Sequence, residues 1–215
     1  MCLFAGTATS YAQLTEEQRK ERKEITKASK SQLNEKASKA ARSEAKRLKK
    51  EGWQTAPGAL PIEKQLDKSY LMQYEYDNEM YPKYIMGEGM SIGGNYDGAK
   101  MQALELAKQN LAGQIQTEVT ALIENTVANE QMSSEDAATV TRSVSAGKNL
   151  ISQSIGRTLV VVELYRTLQN KNKEVMVRIA YNGDMAKKLA KDAIRKQLAK
   201  EGEDKQKKLD ELLGW

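Results

Sequence analysis

Residues 98–129, beginning GAKMQALELAKQNLAGQIQTEVTALIENTV, constrain the fold more than any other stretch. Leu104, Leu111, Ile115, Val119, Leu122 and Thr126 recur at spacings of three, four and seven, the repeat of one helix face. At 1.5 Å per residue this helix reaches roughly 45 Å, against a width of about 26 Å for a 100-residue domain. A helix that long acts as a spine, and other elements must cover it.

Only 40% of the 215 residues are apolar, so a core requires that they be concentrated. They gather between residues 84 and 181. Histidine is absent and the one cysteine is Cys2, in a segment expected to be removed. A mature chain with neither residue excludes imidazole acid–base chemistry, thiol nucleophiles, and thiolate or imidazole metal sites. No cofactor is expected. The net charge of +5 is uneven: residues 14–51 hold 13 Lys/Arg against 7 Asp/Glu, and residues 52–183 hold 12 against 15. The basic character belongs to the ends.

Residues 1–12, MCLFAGTATSYA, are uncharged, begin apolar and end in small residues. Ser10 and Ala12 before Gln13 match the −3 and −1 positions of a signal-peptidase site, with cleavage between Ala12 and Gln13. This stretch reads as the remnant of a signal peptide. Residues 13–51 read as a charged helical arm, rich in Lys, Glu and Ala, whose sparse apolar positions hold no single stripe. Such an arm is a solvated helix or a basic surface for nucleic acid, anionic lipid or a partner helix.

GWQTAPGALP, residues 52–61, reads as a linker with an exposed Trp53. Ile62, Leu66 and Tyr70, with Gln73 or Tyr74, then share a helix face. Tyr70 and Tyr74 belong to a tyrosine cluster that serves either as a lid on a small core or as a stacking surface for a glycan or base. After Pro82, KYIMGEGMSI alternates as a strand, with Ile85, Gly87, Gly89 and Ser91 on a face where a helix can approach closely. Gly87-Glu88-Gly89 lacks the third glycine of a dinucleotide loop, since position 92 is Ile92. Asn95 or Asp97 caps the spine. A second helix runs over 134–155, and TLVVVELYRTL and KEVMVRIAY form a hairpin about Gln169–Asn172. A helix from Asp184 docks through Met185, Leu189, Ile194 and Leu198, and residues 199–215 form a charged tail.

No P-loop, nucleophile elbow, HExxH, EF-hand or CxxC motif is present. Arg157, Arg166 and Arg178, on or beside the hairpin, make either an anion patch or cross-strand pairs with Glu163 and Glu174.

The GEGMS strand, followed by Ala99, Ala103, Ala107, Leu111, Ala112 and Ile115 on a long helix, a second helix, and then VVVELYR with VMVRIAY, resembles the Lpp-twenty lipoprotein family of Gram-negative cell envelopes. The resemblance covers roughly residues 83–190. It implies a small antiparallel sheet packed by the long helix, export to the envelope and no catalysis. It carries no functional residues, and the chain shows no lipobox.

The expectation is therefore an α+β domain over residues 62–198, with a three-stranded antiparallel sheet packed on the spine and helical extensions at both ends. It is a non-enzymatic exported protein of the periplasm or outer membrane, without a transmembrane helix or specific nucleic-acid partner. Its partner is an envelope protein, a surface or a second copy, met through Trp53, Tyr70, Tyr74, Arg157, Arg166 and Arg178 or the charged ends. The alternatives are a nucleic-acid or anionic-surface binder using the basic arm, and a carboxylate- or Tyr-based glycan-processing enzyme.

Overall fold

The computed structural model describes residues 35–77, 82–128 and 148–198, with scattered positions in 16–27 and 138–142. The chain divides into two units, Met1–Lys36 and Ala37–Trp215. In the first, the described positions between 16 and 27 are helical. All elements labelled here belong to the second. Ala12, Gln13, most of the 134–147 stretch and the 199–215 tail lie outside the described residues.

The arm expected to be helical to Glu51 is non-helical at 35–38, and α1 spans Lys39–Lys50. Ser38 caps it, its Oγ accepting from the Ala41 amide at 3.2 Å. Ala37, Ala41, Ala45 and Leu48 recur every three or four residues and are buried. Alanine carries little apolar signal in a sequence, which is why this stripe escapes a periodicity reading. Gly52, at φ 87°, ends the helix: the Gly52 amide donates to the Lys49 carbonyl and the Trp53 amide to that of Leu48. That left-handed turn folds Trp53 back beside Leu48, and Trp53 is only 5% exposed. The exposed Trp53 of the sequence reading is therefore corrected.

The stretch 52–61 is also more than a linker. Gln54–Thr55 is a short strand, β1, paired antiparallel with Leu164 and Tyr165. Helix α2 spans Ile62–Gln73, β2 Tyr84–Gly93, and the spine α3 Tyr96–Ala128. The hairpin is β3, Leu159–Thr167, with β4, Lys173–Asn182, and α4 follows as Gly183–Leu198. The sheet has four strands, not three, in the antiparallel order β1-β3-β4-β2. A two-residue strand is too short to show alternation, so β1 left no sequence signal.

Both faces of the sheet are covered. On one, Ala99, Ala103, Ala107, Leu111 and Ile115 of α3 meet Val175, Val177, Ile179 and Tyr181 of β4, with Ile151, Ile155 and the alanines of α4 closing the same core. On the other, α1, Trp53 and α2 cover Val161, Val162, Leu164 and Ala180. A bulge between Val160 and Val162 puts the adjacent Val161 and Val162 into this second core, where strict alternation would have separated them. The face opposite the spine is therefore packed, not free.

Candidate functional site

The glycines of β2 fix how the spine lies. A Cβ on Gly87 would run into the Ala107 carbonyl and stand 3.0 Å from the Leu111 nitrogen, and one on Gly93 3.1 Å from the Ala99 nitrogen. The small-residue face is thus filled by helix backbone. Asn95 Oδ1 accepts from the Gly98 amide at 2.8 Å and caps the spine. Farther along, Asn110 Oδ1 accepts from the Glu88 amide at 3.3 Å, and Ser91 Oγ donates to Gln102 Oε1 at 2.6 Å.

At the start of the spine Tyr96 Oη donates to Glu163 Oε1, which also takes Lys100 Nζ at 2.9 Å. The Tyr165 ring stands edge-on to Tyr96, centroids 5.1 Å apart. Burial, and then the Glu163 carboxylate, push the Tyr96 phenol above its ordinary range. This cluster ties the spine to β3.

The second face has its own polar fastenings. Gln65 Oε1 accepts from the Glu163 amide at 2.7 Å, and its Nε2 donates to the Leu60 carbonyl at 2.7 Å. Ser69 Oγ accepts from Arg178 Nη1 at 3.0 Å. With these three bonds α2 turns from the expected face: Gln65, Ser69 and Met72 are buried with Ile62 and Leu66, while Tyr70 is half-buried and Tyr74 is 69% exposed. The sequence reading missed Gln65 and Ser69 because polar residues at buried positions carry no periodic signal.

The arginines do not converge. Arg178 pairs with Glu88 at 2.6 Å, not with the hairpin carboxylates. Arg166 pairs with Glu174 at 2.5 Å, the expected cross-strand partner. Its Nη1 also donates to the Glu51 carbonyl at 3.3 Å, and its guanidinium lies 4.7 Å from the Trp53 ring centre. Arg157 is exposed and precedes β3, outside the strand pairing. Of the residues singled out in the sequence, Trp53 and Arg166 are brought together, and Trp53 is buried.

Along α1, Arg47 binds both Glu44 and Glu51, and the Arg47 guanidinium holds the Glu44 carboxyl below its ordinary range. Lys49 Nζ lies 3.0 Å from Glu63, whose carboxyl is lowered first by its own backbone amide at the start of α2 and then by Lys49. Lys83 is raised by Glu75 at 2.9 Å. A groove of about 500 Å³ runs beside Arg42, Ala45, Lys46, Lys49, Lys50 and Glu63. A second, of about 270 Å³, lies between α4 and Leu150, Ser154 and Tyr181.

Among the described residues no cluster of three or more His, Cys, Asp or Glu side chains could hold a metal, and no helix is long and apolar enough to cross a membrane. The chain matches no protein-family model, no curated protein and no solved structure.

Proposed function

We propose that the protein is exported to the cell envelope and works there through non-covalent contacts, without catalysis. The observation that carries this is residues 1–12, uncharged and ending in Ser10-Tyr11-Ala12 before Gln13. Four paired titratable groups among the described residues support its second half. Glu44, Glu63, Lys83 and Tyr96 are each held in a hydrogen bond or ion pair that fastens one turn or element to the next. That use is architectural, and the reacting geometry of an acid–base pair would need them to converge on a cleft.

Cell fractionation of the full native coding region, followed by N-terminal sequencing, tests this reading. The expected result is a periplasmic or membrane-associated chain beginning at Gln13. A cytoplasmic protein still carrying residues 1–12 overturns it.

A further inference from the structure

Helix α1 sorts its charges. Ala41, Ala45 and Leu48 face the core, while Lys39, Arg42, Lys46, Lys49 and Lys50 are all exposed. Their spacing of three, seven, ten and eleven residues from Lys39 puts the five on one side of the helix, within about 16 Å of axis. Arg47, which points elsewhere, is matched by Glu44 and Glu51. On the cationic side Glu63 is the one carboxylate lining the groove, and it takes Lys49. No ion pair among the described residues ties Lys39, Arg42, Lys46 or Lys50.

Like charges at this spacing repel, so the row costs stability unless an anion neutralises it. The row is also held in place. The Ser38 amide donates to Asp67 of α2 at 3.0 Å, and Arg166 grips the Glu51 carbonyl at the other end. Binding therefore orders no new backbone, which keeps its entropic cost low.

We propose that this face of α1 docks on an anionic phospholipid surface, with headgroup phosphates seated against Lys46, Lys49 and Lys50. Four lysines and one arginine in a row form the kind of cation cluster that recognises acidic lipid. The groove is lined by Arg42, Ala45, three lysines and Glu63, so it offers no aromatic ring on which a nucleobase could stack. The inference rests on the exported reading for where such a surface is met. Vesicle binding in vitro and fractionation of cells fail independently.

The test is co-sedimentation of the full chain with phosphatidylcholine vesicles, with and without phosphatidylglycerol. Binding is expected only to the acidic vesicles. Lys46→Gln with Lys50→Gln is expected to weaken it by roughly five-fold per lysine, about 25-fold together. Both side chains are exposed and their removal relieves repulsion within the row, so the thermal midpoint does not fall below the wild-type value. Lys148→Gln with Lys171→Gln removes the same charge from exposed positions outside α1 and leaves binding unchanged, and the double Lys→Arg variant at 46 and 50 retains it. Equal losses from both glutamine pairs would reduce the effect to net charge and overturn the proposal. So would indifference to phosphatidylglycerol, or mixed-sequence duplex DNA that binds while the vesicles do not.

Discussion

Gly89 of β2 and Ala107 of α3 meet backbone to backbone: a Cβ on Gly89 would stand 2.5 Å from the Ala107 nitrogen, and nearer still to the Ala103 carbonyl oxygen. The obstacle is a helix main chain, which cannot turn aside as a flexible side chain can. Gly89→Ala is expected to destabilise the fold by about 3 kcal/mol, the upper end for overpacking. Gly94→Ala meets nothing within 4 Å and should stay within about 0.5 kcal/mol of wild type. Urea unfolding of the two variants checks the contrast, and equal midpoints would contradict the close packing.

Tyr96 and Glu163 should act as a unit. Tyr96→Phe loses a partly buried hydrogen bond to a charged acceptor, worth about 1.5–3 kcal/mol. Glu163→Gln also releases Lys100. A double-mutant cycle should show coupling of at least about 0.5 kcal/mol. The raised Tyr96 pKa stabilises the fold below the phenol's ordinary value of 10.0, and that contribution is lost as pH rises beyond it. Wild type should therefore lose stability in strong alkali more steeply than Tyr96→Phe, read by melting temperature against pH.

Glu63 gives the opposite dependence. Its folded pKa lies below the ordinary 4.5, so its contribution is present above pH 4.5 and disappears as pH falls through the lowered value. Glu63→Gln should be less stable than wild type at neutral pH, and the two denaturation curves should converge in acid. A difference that persisted unchanged in strong acid would show that the carboxylate charge is not its source.

Trp53 and Leu48 test whether residues 37–53 belong to the fold. Trp53→Ala should cost about 3–5 kcal/mol and Leu48→Ala about 2–5 kcal/mol. Lys46→Ala, two residues before Leu48 and exposed, should fall within about 0.5 kcal/mol. Thermal unfolding measures all three. Near-neutral values for Trp53 and Leu48 would return this stretch to the status of an arm and a linker.

The spine and its strand are written plainly in the sequence, because one repeat carries each: Leu111, Ile115 and Val119 along the helix, and the alternation of Ile85, Gly87, Gly89 and Ser91 along β2. The hairpin is legible for the same reason, through Val175, Val177 and Ile179. The second core is not. Its wall is made of Ala37, Ala41 and Ala45, which look neutral, and of Trp53, which sits between a glycine and a proline-bearing stretch. The β3 bulge breaks alternation at Val161, and no local pattern announces that. The α1 cations were visible as an excess of basic residues, but their common side emerges only once Ala41, Ala45 and Leu48 define the side opposite.

One small amide has a larger role than its size suggests. Strand β2 is the last in the sheet and ten residues long, and among the described residues no strand pairs with its outer side. Asn110 reaches over that margin and takes the Glu88 amide. A foreign strand trying to zip on must first evict this side chain. Crowded among other extended chains, the molecule carries its own doorstop against growing into a fibre.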